Sequence, residues 1–395
     1  MDILRDPRAI ALLLAASLTI MSNATISPGL PGIEAMFSET PNAALLTRLL
    51  VTAPALLIAF VAPFAGMAAD RFGRKKQLIF GVGLFAIAGT AGLYLRDLHI
   101  LLASRLILGF SVALVMTAQA ALLGDIFAGE KRGRFMGYQM SAVNFGGFFF
   151  IAAAGWLAGL NPIFPFALYG IALLYIPFLQ RALPDSHAPE PTGHDGPGAS
   201  GGEPGWLFTL CLTILLCGLT FALFYVMPTQ LPYFLASSGH EDPKLAGLAM
   251  GVVVLAAGTA SLFFGAIRRW CGRAGTPAAG YVFMSIGFWV LHLSGGLPVI
   301  GAGAALVGIG VGIVMPTFVA IALDVAPPHR RGTVSGAITT AIFLGQFVSP
   351  FLSQPLIDNL GYRTAFFIGA GVLALFVPAV LVGFRRPRNE SGVTA

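Results

Sequence analysis

The sequence predicts an all-α membrane protein, with twelve transmembrane helices folded as two pseudo-symmetric six-helix bundles. Three observations predict it. Charge is scarce: 10% of the 395 residues are Asp, Glu, Lys or Arg and 56% are hydrophobic, against about 25% charged in soluble chains. Apolar runs long enough to cross a bilayer recur twelve times. The second half of the chain repeats the first at a fixed offset. So little charge cannot cover the surface of soluble domains of this total length, which excludes an ordinary soluble enzyme and a disordered chain. The net charge of +6 is distributed among short loops and forms no phosphate-binding patch, so a nucleic-acid binder is excluded too.

A crossing helix needs about 20 apolar residues, and the runs are taken in order. Span 1 (9–32) follows Arg5 and Arg8. Span 2 (44–69) stops at Asp70-Arg71. Span 3 (78–95) lies between Lys76 and Arg96, and span 4 (99–124) ends at Asp125. Span 5 (135–158) follows Arg134, and span 6 (163–181) ends at Arg181. Span 7 (206–233) emerges from a polar stretch. Span 8 (245–267) runs from Lys244 to Arg268. Spans 9 (277–296) and 10 (299–323) share one apolar run whose natural turn is Gly295-Gly296-Leu297-Pro298. Span 11 (333–355) follows Arg330-Arg331, and span 12 (363–384) stops at Arg385.

Of the 23 Lys and Arg, 18 fall on one side of this layout and four (Arg48, Arg96, Lys244 and Arg363) on the other, with Arg105 inside a span. The positive-inside rule then puts both termini in the cytoplasm. Span 1 is expected to be retained rather than cleaved as a signal peptide, because its loss would break both the even count and the repeat. Residues 184–205 are rich in Pro, Gly and acids, and read as a flexible connector. The expected units are 1–183, a six-helix bundle; 184–205, the linker; and 206–395, the second bundle.

The repeat has an offset of 199 residues. Gly66-x-x-x-Asp70-Arg71-x-Gly73-Arg74 aligns with Gly265-x-x-x-Arg269-Trp270-x-Gly272-Arg273, Asp125 with Asp324, and Gly137 with Gly336. With a small slip, Pro28-x-x-Pro31 aligns with Pro228-x-x-x-Pro232. Paired bundles of this kind are a transporter architecture, with the substrate site where the repeats meet.

Gly66-Met-Ala-Ala-Asp70-Arg71-Phe-Gly73-Arg74 resembles the loop signature of the major facilitator superfamily. Arg105-x-x-x-Gly109 is similar to its second motif, and Pro28-x-x-Pro31 to the signature of its twelve-span drug-efflux branch. The resemblance covers nearly the whole chain. It implies alternating access between two bundles, with spans 1, 4, 7 and 10 lining a cavity. It also implies that Asp70 faces the N-terminus of span 11 near Gly332–Thr333, where a helix end favours an anion, and that Arg71 and Arg74 pair with Asp125. Gly66, Asp70, Arg71, Gly73, Arg74, Asp125 and Arg105 are therefore the candidate gate. Arg269 stands at the position of Asp70 and has the wrong sign for that contact, so the lock is expected to be lopsided.

No Asp or Glu falls inside any span; Glu34 and Glu39 read as loop residues on the outer side. Relatives in the efflux branch often couple to protons through a buried carboxylate, which is missing here. The Gly-Pro pair of the antiporter signature is replaced by Phe150-Ile151. Asp70, Asp125, Arg105 and His292 remain as proton-coupling candidates. Arg105 reads either as a switch or anion partner, or as a structural cation satisfied by carbonyls. His292 reads more simply as structural.

The cavity candidates are Met21, Asn23 and Thr25; Phe110, Met116 and Gln119; Tyr138 and Asn144; Phe224, Tyr225 and Gln230; Met315 and Phe318; and Gln346 with Phe347. Met and aromatic surfaces suit varied lipophilic substrates. The expected function is export of small organic molecules (a drug, siderophore or metabolite) from a bacterial inner membrane, with an uptake permease or uncoupled facilitator as the alternative. A membrane enzyme would need a nucleophile–base set or metal cluster, and the scattered histidines supply neither. No cofactor and no metal are expected. The expected partners are a small-molecule substrate, membrane lipid and, as a candidate, protons; no nucleic acid is expected, and the chain is expected to be a monomer.

Overall fold

The computed structural model describes residues 5–127, 129–185, 206–293, 295–327 and 330–384, without the side chains of 23, 24, 129, 130, 132 and 133. Most of the connector, 186–205, lies outside the described residues.

A lipid-embedded backbone must satisfy its own polar groups, and an α-helix does so within one segment. Span 1 is Pro7–Ala24, capped by Asp6, and continues through the 3-10 turn Ser27–Gly29 into Leu30–Met36. Span 2 is Ala43–Phe72; span 3 is Arg74–Gly89 with the 3-10 turn Thr90–Leu93; span 4 is Leu98–Ile126. Span 5 is Gly129–Leu160, and span 6 joins Phe164–Ile171 to Ala172–Ala182. Span 7 is Trp206–Phe224 followed by Val226–Ser237. Pro243–Leu262 begins span 8. The helix Phe264–Leu293 is broken at Gly272, so 264–271 extend span 8 and 273–293 form span 9. Span 10 is Leu297–Val325. The helix Arg331–Gly383 is broken at Gly361, giving span 11 before it and span 12 after it. Twelve spans result among the described residues. Below, the end carrying Asp6, Gly73, Asp125 and Arg331 is the linker end, and the other is the far end.

Among the described residues, three helices begin at acidic N-caps, Asp6, Asp97 and Asp242. The Arg8 guanidinium bonded to Asp6 holds that carboxyl below its ordinary value. At the far end, the backbone N–H groups of Ile100 and His99 hold Asp97 below its own.

The internal repeat reappears as packing. Gly109 lies against the Pro54 carbonyl, and Gly308 against the Val253 carbonyl, both 199 positions on. Gly81 meets Val115 and the Ser111 carbonyl, and Gly280 meets Val314 and the Gly310 carbonyl. The turns between spans 2 and 3 and between spans 8 and 9 each pivot on a glycine with positive φ, Gly73 at 94° and Gly272 at 72°. A side chain would be strained in that backbone conformation. Spans 5 and 8 pack against each other across the two bundles, as do spans 2 and 11.

Candidate functional site

The far end is sealed by a polar bridge between the bundles. Arg48, on the first turns of span 2, is 3% exposed. Its Nη1 donates to Glu34 Oε2 at 2.8 Å and to the Ala44 carbonyl at 2.6 Å, while its Nε donates to Gln230 Oε1 at 3.0 Å. The guanidinium lies 3.8 Å from the centre of the Tyr233 ring. Gln230 passes the bridge on, its Nε2 donating to Gln354 Oε1 at 3.0 Å and Ser353 Oγ at 3.2 Å. Gln354 Nε2 donates to Asp358 Oδ1 at 2.8 Å. Every bond along this chain donates away from Arg48, so the cation fixes the orientation of both amides. Beside it, the Ser27 hydroxyl donates to the Pro228 carbonyl. The two Pro motifs of the repeat therefore meet across the bundle interface.

Span 1 thus carries a carboxylate on its helical continuation, Leu30–Met36, where the sequence reading placed a loop. Glu34 keeps 29% side-chain exposure, which lowers its desolvation cost while Arg48 remains buried against it. A signal for this was present: Arg48 falls within the apolar run 44–69, and a cation there needs a partner.

Between the bundles lies a cavity of about 330 Å³. Its lining comes from span 1 (Thr19, Ile20), span 5 (Met140, Val143, Asn144), span 7 (Phe221, Phe224, Tyr225, Pro228), span 8 (Met250, Val254, Ala257, Ser261), span 10 (Val311, Gly312, Met315, Pro316) and span 11 (Ile342, Phe343, Gln346). A second hollow shares Met315, Ile342 and Phe343 with it and continues past Val319 to Leu323 and Ser335. A third shares Met140, Asn144, Ser261 and Pro316, and continues to Met136 and Phe264. Both run towards the linker end. The bundles touch at the far end and separate at the linker end.

Ion pairs stand at the linker end of both bundles. Arg74 Nη2 is 2.8 Å from Asp70 Oδ1, and Arg74 Nη1 donates to Asp125 Oδ1. Lys75 reaches Asp185 at 3.2 Å, and Arg268 Nη2 lies 2.5 Å from Asp324 Oδ2. The Arg74 pairs lie within the first bundle and the Arg268 pair within the second, while Lys75 ties the first bundle to the start of the connector.

The predicted residues divide accordingly. Asn144, Phe224, Tyr225, Met315 and Gln346 line the cavity, and Met116 lines the hollow leading from it. Of the four spans expected to line the cavity, 1, 7 and 10 contribute to its wall, while span 4 contributes only Met116 in the adjoining hollow; spans 5, 8 and 11 complete the wall, because the cavity opens along the seam where the bundles part. Met21 and Thr25 are fully buried inside the first bundle, and Gln119 is 5% exposed. Phe318 is buried beside Tyr281. Gln230 belongs to the far-end bridge. Phe110 and Tyr138 are each 37% exposed and outside the cavity lining. Phe347 packs on Phe351. The side chain of Asn23 lies outside the described residues.

The gate candidates also separate. Asp70 faces Arg74 instead of span 11, and Gly66, Gly73 and Gly332 each have open space where a side chain would begin. Asp125 is bonded by Arg74, while the Arg71 guanidinium lies 5.7 Å from the Phe72 ring centre. Arg105 is fully buried inside the first bundle: its Nη2 donates to the Ala88 and Gly89 carbonyls at 2.9 Å each, and it lies over the rings of Phe166 and Tyr169. The 3-10 turn that ends span 3 leaves those carbonyls free to accept. Its contacts are those of a cation tying spans 3, 4 and 6 together, with no partner across the interface. His292 Nδ1 donates to the Arg363 carbonyl at 3.0 Å, joining spans 9 and 12.

The chain belongs to the Major Facilitator Superfamily, whose family model matches residues 12–350 and again 210–395. The family consists of transporters, not enzymes. "Multidrug resistance protein 2" of Bacillus subtilis is 35% identical over 117 residues, 30% of this chain and 29% of that protein. "Quinolone resistance protein NorA" of Staphylococcus aureus is 24% identical over 341 residues, 85% of this chain and 86% of that one. Among solved structures, a D-xylose-proton symporter superposes with a TM-score of 0.77 at 18% identity, covering 98% of this chain and 99% of its own. The nucleoside transporter NupG superposes at 0.74 with 13% identity, covering 95% and 100%. At these identities the structural likeness speaks for the fold alone.

Proposed function

We propose that this chain exports small organic molecules by alternating access, with its linker end on the cytoplasmic side of a bacterial inner membrane. The reading rests above all on one observation: a largely apolar cavity at the bundle interface reaches the linker end and is sealed at the far end. That geometry receives lipophilic molecules from the basic, linker-bearing side. The drug-resistance names of the two relatives support export. In the reading, 1–183 and 206–395 are the moving bundles and 184–205 their flexible connector, and a single chain is the working unit. In the opposite state the far-end bridge parts and Asp70 comes to face the N-terminus of span 11 near Gly332.

The described cavity lining holds no carboxylate. A proton gradient therefore drives this cycle only through groups at the ends, Asp70 and Asp125 at one and Glu34 and Asp358 at the other. The test is transport by the full chain in proteoliposomes of known orientation, with a substrate panel and an imposed pH gradient. Export towards the far end, accelerated when the far side is acidic, is the expected result. A rate indifferent to the gradient removes proton antiport, and net movement from the far end inward replaces export with uptake.

A further inference from the structure

The cavity has a chemistry of its own, and the inference drawn from it rests on reading that cavity as the substrate site. Its described lining contains no Asp, Glu, Lys, Arg or His. A permanently charged molecule entering it would leave water without meeting an opposite charge, and uncompensated charge in an apolar site is costly. The aromatic side chains do not remove this cost. Phe221, Phe224 and Tyr225 stand on span 7, with the Phe221–Phe224 and Phe224–Tyr225 pairs packed edge to face at 6.1 and 5.9 Å, and Phe343 stands on span 11. Rings on two spans, with no carboxylate in the described lining beside them, offer a cation far less than an aromatic cage completed by an acid.

A buried polar atom of the lining lacks a hydrogen-bond partner. Gln346, 4% exposed on span 11, has no hydrogen-bond partner at Oε1. Two donors in the same wall are committed: Asn144 Nδ2 donates to the Met140 carbonyl at 2.8 Å, and the Ser261 hydroxyl lies 2.8 Å from the Ala257 carbonyl. A buried acceptor left without a donor is destabilising, and a ligand N–H or O–H would satisfy it.

We propose that the cavity selects uncharged aromatic molecules carrying one hydrogen-bond donor, with Gln346 Oε1 as the acceptor and the Phe221–Phe224–Tyr225 wall as the stacking surface. The volume suits a ligand of two or three rings, near the lower end of small-molecule sites. Charge at position 346 then decides which class of ligand enters.

The probes are N-phenylnaphthylamine, a neutral diaryl amine, and ethidium, a permanent cation, titrated by fluorescence against the full chain in nanodiscs. The neutral amine is expected to bind saturably and ethidium at least about tenfold more weakly. Gln346→Leu is expected to weaken the amine by about fivefold, the effect of one lost hydrogen bond. Gln346→Glu is expected to strengthen ethidium. Each variant is checked for fold by its elution volume and helical circular dichroism. Equal affinity of the unaltered chain for both probes overturns the proposal, as does an unchanged amine affinity in a folded Gln346→Leu protein. Everted vesicles separate the two readings. Gln346-dependent binding without export rejects the efflux function alone. Export with equal affinity for both probes rejects only the charge selection.

Discussion

Two seams close the far end, and they stand at equivalent positions of the repeat. Across spans 5 and 8, Gly155 lies against Gly247, backbone to backbone. Moving each by 199 residues gives Gln354 and Arg48, which Gln230 joins across spans 11 and 2. At the Gly155–Gly247 contact no side chain intervenes, whereas the other seam is joined through side chains. The glycine seam depends on shape alone and is indifferent to salt and pH. The polar seam holds a buried cation whose partners water can replace, so it can be released by hydration. A duplicated framework thus closes twice at one depth by two kinds of physics, and only one of them is switchable.

The largest expected effect comes from spoiling the glycine seam. A side chain at Gly247 would begin 2.8 Å from the Gly155 Cα, and backbone cannot give way as a side chain can. Gly247→Val should cost the far-end-closed state about 3 kcal/mol, roughly a 150-fold shift. Spin labels on the far-end loops of the two bundles should report longer distances, and transport should fall to background. Gly332→Ala at the linker end meets open space and should leave the same distances unchanged.

Arg48→Ala should come next, at about 2 kcal/mol or some 30-fold. The cost stays below that of a fully buried pair because Glu34 is partly hydrated. The same labels should show partial opening, and Gln230→Leu should reproduce it without changing any charge. Closed distances in Arg48→Ala would reduce the polar seam to decoration.

Smaller again is the contrast at the linker end. Arg74 is shared by two carboxylates in the first bundle, whereas Asp324 of the second has the single recorded partner Arg268. Asp70→Asn should slow transport about tenfold at unchanged expression, by removing the group proposed to meet span 11 in the opposite state. Arg269→Ala should stay within about twofold, since an exposed cation contributes little. Arg268→Ala should be smallest, because exposed ion pairs are worth about 0–1 kcal/mol. Equal losses from Asp70→Asn and Arg269→Ala would refute the lopsided lock.

The fold was legible because lipid imposes it. Run length gives the spans, and the paired glycines of the repeat mark where backbones touch. Even the breaks at Gly272 and Gly361, which leave two spans within one continuous helix, fall in loops set by the apolar runs. The site was legible only in part. Asn144 and Gln346 stood out as amides in apolar spans, but rotation about the helix axis, which such uniformly apolar sequences leave unmarked, decides that Phe318 turns inward and Gln346 faces the cavity. The far-end bridge was missed because its partners are remote in sequence: Arg48 meets Gln230 across 182 positions and Gln230 meets Gln354 across 124. Arg105 was recognised as buried, but its partners are backbone carbonyls, which carry no sequence signature.

The contact between Gly155 and Gly247 has a mechanical consequence. With no side chain between the two backbones there, it would serve the proposed alternating-access motion as a fulcrum, and the lever arm is the thickness of the hydrocarbon layer, about 30 Å. A roll of roughly 10° about such a point displaces the linker end by about 5 Å over that arm. A motion too slight to disturb packing at the fulcrum is thereby enlarged, at the other face, to the width of an aromatic ring.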